Sequence, residues 1–352
     1  MPPAPALYRR GAPLHPNVAP TALQRTRPSR EAAPGSNKAV QRVVVVGAGH
    51  VGMITAMKLA EADIIDEVVL VDIADGLAAG IALDLTHSTA LLGFDTKIRG
   101  VTTLAEAGTA DYVVITAGRA RQPGMSRTDL VEVNADIVGS LAREAAQISP
   151  NTVMLIVTNP LDEMTHHAWR TSGLPAERVL GMAGVLDSSR FQALVGLAAQ
   201  ASPSSVSALA LGSHGDEMVI PLSQARVDRT PIERALPGAT VTALVDRARN
   251  SGAEVVGLLK SGSAFFAPGA SAARMVLAMA TDSDEIIAAT VRAQGQYGIA
   301  DGYVGLPTRL GRRGVREIVE LPLTQEELGA LQTAAARITD RVADLQEATV
   351  TS

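Results

Sequence analysis

The stretch VVVVGAGHVG, residues 43–52, decides the fold. Four consecutive β-branched residues suit a strand buried on both faces, as parallel sheets require, and the run stops at a glycine cluster. Gly47, Gly49 and Gly52 have the spacing GxGxxG. In a strand–turn–helix unit the first glycine permits a tight turn and the second lets backbone approach a pyrophosphate. The third lets helix pack close to strand. Ala48, His50 and Val51 fill the other positions of this loop. Residues 51–60 are apolar enough to form the helix that follows, its N-terminal amides and dipole turned to the phosphates. A second apolar run, residues 68–71, ends at Asp72, twenty positions beyond Gly52, where an acid would hold an adenosine ribose. A carboxylate there would repel a 2′-phosphate, so the unit reads as a site for NAD in preference to NADP. A solvated loop carboxylate is the plainer reading of Asp72 alone.

The 352 residues suffice for two domains or one large one. Apolar residues make up 47% and charged residues 19%, the balance of a soluble globular chain, and with aromatics at 3% the core must be aliphatic. A net charge of −5 gives no basic footprint for nucleic acid or an anionic membrane. No apolar run reaches the roughly eighteen residues that a membrane span needs. There is no cysteine, which excludes disulfides, thiolate catalysis and zinc–cysteine sites.

Residues 1–40 differ from the rest: they hold eight of the nineteen prolines, and Arg9, Arg10, Arg25, Arg27, Arg30 and Lys38 face a single acid, Glu31. That composition predicts a disordered Pro/Arg-rich extension. An organelle transit peptide shares the basic bias but is amphipathic and Ser-rich, and a secretory signal needs an apolar core that is missing here, so the expected location is the cytoplasm. From residue 41 onward, strand and helix patterns alternate, with strands expected at 43–46, 68–71, 97–100, 112–116 and 153–157. Between the last two, Leu130, Val133, Ile137, Leu141, Ala145 and Ile148 mark an amphipathic helix. Beyond about residue 182 the pattern is mixed: a helix near 188–199, a strand at 206–211 and a long helix over 241–259. Thr324 and Glu327 form a capping box ahead of a final amphipathic helix. The expected class is α/β, a Rossmann-type doubly wound parallel sheet over 41–182 followed by an α+β substrate domain over 183–347.

Of six histidines, His214 stands out, in LGSHGDEM after an apolar run and flanked by small residues that would expose its ring. The adjacent His166 and His167 cannot share one helix face, and no metal site is expected. In VLDSSRFQ, Asp187 and Arg190 lie three apart and so on one face of a helix. An acid beside His214 would fix its tautomer and favour the imidazolium, while Arg190 could grip a carboxylate through two parallel hydrogen bonds. A surface salt bridge accounts for the same spacing. The segment ITAGRARQPGMSRTDLVEVN follows the fourth strand at the sheet edge where such folds bind ligands. Its Arg119, Arg121 and Arg127, separated by Gly118, Pro123 and Gly124, fit a hinged lid over an anionic substrate, or a merely solvated loop.

Taken together, GAGHVG, ALDLTHS, TAGRARQPGMSR, VTNPLD, GMAGVLDSSRF, LGSHGDEMV and QYGIADGYVGLP resemble the blocks of the lactate/malate dehydrogenase family, in family order, and most closely its lactate-dehydrogenase-like malate dehydrogenases. The resemblance implies reversible oxidation of L-malate to oxaloacetate with NAD. By position, it implies His214 as proton donor and acceptor, Asp187 as its partner, and Arg190 on the C1 carboxylate. Arg127 would polarise the C2 oxygen, and Arg121 stands where malate enzymes carry arginine and lactate enzymes glutamine. Asn134, Val157, Thr158 and Asn159 match positions that contact nicotinamide and substrate. A homodimer or homotetramer is implied too. His50, often asparagine, and Arg119, usually apolar, depart from the family pattern. The rival readings are a dehydrogenase of lactate or another 2-hydroxy acid, and a non-catalytic NAD-binding protein on the same fold.

Overall fold

The computed structural model describes residues 38–119, 127–215 and 217–351. The strands of the first half are β1 (Val40–Val46), β2 (Ile65–Val71), β3 (Lys97–Val101), β4 (Tyr112–Ile115), β5 (Val153–Ile156) and β6 (Val179–Gly181). They lie side by side in the order β3-β2-β1-β4-β5-β6, every pair parallel. Helices α1 (His50–Glu61), α2 (Leu77–His87), α3 (Thr89–Leu92), α4 (Leu104–Ala107), α5 (Arg127–Ile148) and α6 (Leu161–Ser172) make the crossovers. This is the doubly wound order, which reverses between β1 and β4 and opens a crevice there at the carboxyl ends of the strands.

The valine run is apolar at every position because both faces of β1 are covered. Val43 and Val45 join one core with Ala56 and Leu59 of α1; Val44 and Val46 join the other with Ala135, Val138 and Ala142 of α5. All four valines are 3% exposed or less. β1 begins three residues before the apolar run, since Val40 and Arg42 continue the ladder to Ile65 and Glu67. This revises the start of the folded unit: Lys38 is ion-paired with Asp63 at 2.8 Å and Val40 is 4% exposed, so the extension expected over 1–40 ends no later than residue 37. Residues 1–37 lie outside the described part.

Most strands of the second half extend the sheet of the first. After α7 (Gly184–Ala199) come β7 (Val206–Ser207), β8 (Leu211–Gly212), β9 (Met218–Val219), β10 (Arg226–Val227) and β11 (Thr230–Pro231). Helices α8 (Ile232–Ala235), α9 (Gly238–Leu259) and α10 (Phe266–Ala280) follow, then β12 (Ile286–Ala293), β13 (Gly302–Gly311), β14 (Gly314–Ile318) and α11 (Gln325–Thr351). β12 pairs antiparallel with the edge of β6 and carries β13, β8 and β9 beyond it. Among the described residues, β7, β10 and β11 form a small separate sheet. The single strand expected at 206–211 is therefore two. Val206 pairs in the small sheet and Leu211 in the large one, and the residues between them carry the chain across. No helix among the described residues is long and apolar enough to cross a membrane.

Candidate active site

At the crevice, Gly47 leaves β1 with φ of +100°, and a Cβ on it would lie 2.6 Å from the Thr116 hydroxyl beyond β4. Gly52 is packed tighter still, for a Cβ there would sit 1.8 Å from the Gly47 carbonyl oxygen. Around Gly49, by contrast, a Cβ would meet nothing within 4 Å. The glycines thus divide as their spacing predicts, two for internal packing and one facing open space. Gly49 is also the N-cap of α1 and offers no side chain to the first-turn amides, which remain for an anion. Ala48 is buried, Val51 half-buried, and His50 is exposed with its ring 4.7 Å from that of Phe265.

Asp72 ends β2 and is anchored at both oxygens: Oδ2 accepts the Ala48 N–H at 2.8 Å and Oδ1 the Ala74 N–H at 2.9 Å. These bonds tie the acid to the glycine turn, with lone pairs left over for a ribose. Open space at Gly49, free helix amides and an anchored carboxylate together fit a dinucleotide.

Asn134 of α5 is 1% exposed and spends its amide on the chain. Its Oδ1 accepts the Arg119 N–H at 2.7 Å, and its Nδ2 donates to the carbonyls of Arg119 and Asn159. It therefore holds the loops after β4 and β5 together, and any influence on a ligand passes through them. Val157 is 9% exposed, Thr158 donates its hydroxyl to the Ala117 carbonyl at 2.7 Å, and Asn159 is exposed beside them. Arg127 opens α5, with its side chain outside the described part, and Arg121 lies wholly outside it.

Residues 187 and 190 meet residue 214, which lies on a different segment of the chain. Asp187, in the first turn of α7, is 2% exposed and takes the His214 ring nitrogen Nδ1 on Oδ2 at 2.7 Å and Arg190 Nη1 on Oδ1 at 3.0 Å. The Asp187–Arg190 pair is no surface salt bridge, since the carboxylate is buried. Burial opposes charging of the His214 ring, but the Asp187 carboxylate outweighs it and holds the pKa above the ordinary 6.5. With Nδ1 committed to Asp187, Nε2 is the nitrogen available for proton exchange. Arg190 keeps Nε and Nη2 for a second carboxylate.

Spacing gave no sign of Asp162. Its Oδ2 accepts the His214 main-chain N–H and the Ser213 hydroxyl, each at 3.0 Å, and Oδ1 accepts the Thr290 hydroxyl at 2.9 Å. In NPLDE it reads as an ordinary acid in the first turn of a helix.

Two family models match the chain: lactate/malate dehydrogenase, NAD binding domain, over residues 41–181, and lactate/malate dehydrogenase, alpha/beta C-terminal domain, over 184–349. The chain belongs to the lactate/malate dehydrogenase family. Among its relatives, malate dehydrogenase of Thermomicrobium roseum is 46% identical over 309 residues, 88% of this chain and 99% of the relative. That of Pelodictyon phaeoclathratiforme is 44% identical over 86% of this chain and 98% of its own. The solved malate dehydrogenase of Salinibacter ruber superposes with a TM-score of 0.83 at 37% identity, covering 87% of this chain and 98% of that one. A lactate dehydrogenase from Cryptosporidium parvum, solved with lactic acid and nicotinamide adenine dinucleotide, reaches 0.83 at 35%, covering 87% and 98%. Family membership thus brings an NAD-binding domain, while the fold alone serves both substrates.

Proposed function

We propose that this family member is an NAD-dependent malate dehydrogenase, interconverting L-malate and oxaloacetate. The observation that carries the chemistry is the His214–Asp187–Arg190 constellation: a ring held at one nitrogen by a buried carboxylate, beside a guanidinium with donors to spare. In malate oxidation neutral His214 takes the C2 hydroxyl proton on Nε2, and the C2 hydrogen leaves as hydride. NAD, when bound, supplies the hydride acceptor. In the reverse direction His214 as imidazolium returns the proton to the oxygen formed from the C2 carbonyl. Asp187 fixes the tautomer and stabilises the imidazolium, and Arg190 pairs with the C1 carboxylate and so orients C2. Gly47, Gly49 and Gly52, the α1 amides and Asp72 would hold the dinucleotide.

The choice of substrate rests on Arg121, which would pair with the distal carboxylate of malate, a group lactate lacks. With pyruvate that charge would lose its partner in a closed site. Arg127 would polarise the C2 oxygen. The relatives named malate dehydrogenase, at 44–46% identity over nearly their whole length, support this reading over the lactate one. The test is the initial rate of NADH oxidation with oxaloacetate and pyruvate at equal concentration. The expected preference for oxaloacetate is about a hundred-fold or more, and a preference for pyruvate overturns the substrate assignment. A homodimer or homotetramer is the assembly that the family resemblance suggests, and light scattering after size exclusion tests it.

A further inference from the structure

The main chain of His214 sits between β8 and β9, in a turn whose strands are only two residues each, so a sheet ladder does little to fix it. What holds it is a second buried carboxylate. Asp162 is 2% exposed, and all three groups that reach it are donors: the His214 N–H, the Ser213 hydroxyl and the Thr290 hydroxyl of β12. Burying an ionised carboxylate costs several kcal/mol unless it is fully bonded. Burial and the neighbouring Glu163 push the Asp162 pKa up, while the His214 N–H, the Thr290 hydroxyl and the His214 charge favour its ionised form. Three donors on two oxygens suit a carboxylate better than an amide, which has one acceptor oxygen.

We propose that Asp162 is a positioning residue for the proton transfer, holding His214 by its main chain and adding a second negative charge to that of Asp187 beside the imidazolium. It touches neither substrate nor dinucleotide and acts through His214, so the inference rests on the role assigned to that histidine. Among the described residues, the charged groups around the pair are Asp162 and Glu163 from α6, Asp187 and Arg190 from α7, Glu217 from the turn before β9, and Arg337 and Arg341 from α11. Arg341 balances the acids, its Nε donating to Glu163 Oε1 at 2.7 Å, Nη1 facing Glu217 Oε2 at 3.4 Å and Nη2 donating to Ser213 Oγ at 3.1 Å. The net effect of Asp162 on the ring is to favour its charged form, against the opposing effects of burial and Arg190. Two carboxylates from different helices thus grip one histidine, at its ring and at its backbone. A cavity of about 130 Å³ lies on the Asp162 side of the histidine, lined by Asp162, Glu163, Ser213, His214, Glu217 and Arg341.

The test is Asp162→Asn, which keeps the volume and removes the charge, with the His214 ring titrated by NMR in the enzyme without dinucleotide. The ring pKa is expected to fall by roughly half a unit or more. The acid limb of kcat/KM for malate oxidation should move with it to lower pH. The optimum kcat should drop about tenfold from loosened geometry, while NADH affinity, read by fluorescence, stays within about twofold. A merely structural role would lower activity evenly and leave the ring titration in place, and a folded variant whose ring titrates as wild type overturns the proposal. Should the variant not fold, amide exchange in the wild-type enzyme decides: protection of the His214 N–H comparable to that of the core strands supports the hold by Asp162, and exchange at the rate of an open loop overturns it. Because the titration needs no substrate, a ring shift in a protein that proves to prefer pyruvate keeps this inference and removes only the malate reading.

Discussion

At the scale of the residue, the role proposed for His214 carries two opposite requirements. Malate oxidation needs the ring neutral, so kcat/KM in that direction should rise as pH passes its pKa, which the buried Asp187 carboxylate holds above 6.5. Oxaloacetate reduction needs the imidazolium, so its kcat/KM should fall through the same pKa. Rate profiles in both directions check this, and an oxidation limb below pH 6 would contradict it. His214→Ala should lower kcat by about a thousand-fold or more in either direction, the size of a lost general base together with misplaced substrate. NADH binding should be spared, since the groups proposed to hold the dinucleotide lie at the glycine turn. That 187, 190 and 214 meet was legible through the family resemblance, since a histidine between small residues and an acid and an arginine at helical spacing fit a surface salt bridge and a structural ring equally well. Asp162 was not, because its partners come from positions 213, 214 and 290, and nothing in the sequence near 162 records that meeting.

At the scale of the element, the glycine turn separates packing from binding. Gly52→Ala puts a Cβ 1.8 Å from a main-chain oxygen that cannot yield without moving β1, so stability should fall by about 1–3 kcal/mol along with NADH affinity. Gly49→Ala puts its Cβ into open space at φ of −69°, so the melting temperature should hold while NADH affinity alone drops. Thermal melts paired with NADH titrations distinguish the two. If both variants lost stability alike, the division of roles would be wrong. At the other end of the chain, Glu327 accepts the Thr324 N–H, as the capping box predicts, and also the N–H and hydroxyl of Ser223, so it pins α11 to the segment after β9. Glu327→Ala should cost about 2 kcal/mol and leave kcat near wild type. Burial opposes ionisation of this carboxyl, yet its hydrogen bonds prevail and lower the pKa below 4.5. Its contribution is therefore present above the unfolded value and lost as pH falls through the folded one, and the gap between wild type and variant in urea melts should close in that acidic window. Helices α1 and α5 and strands β1 to β5 were readable from periodicity and apolar runs. β12 and β13 were not, because IIAATVRA is buried at nearly every position and lacks the alternation that marks a half-exposed strand.

At the scale of the whole molecule, the boundary near residue 182 is a change of chemistry more than a break in structure. The parallel half ends at β6, and that edge is closed by β12 through the pair Gly181 and Thr290. Thr290 also bonds Asp162, so the strand that extends the sheet helps to hold the turn that carries His214. On one face α10 lies on α1: a Cβ on Gly269 would be 2.7 Å from the Ile54 side chain, and the Thr55 hydroxyl reaches the Gly269 carbonyl at 3.4 Å. The Tyr112 hydroxyl of β4 likewise donates to the Arg312 carbonyl beyond β13 at 3.2 Å. The dinucleotide half therefore completes its core and its sheet edge with residues contributed after position 182, and the two halves should unfold together. Residues 38–182 expressed alone would carry a bare β6 edge and an apolar α1 face with nothing upon it. The fragment should bind a hydrophobic dye strongly, lack a cooperative thermal transition and fail to bind NADH, although every one of its glycine-turn residues and Asp72 is present. A sharp melt with NADH affinity like that of the full chain would show instead that the first half folds by itself and that the shared sheet is incidental.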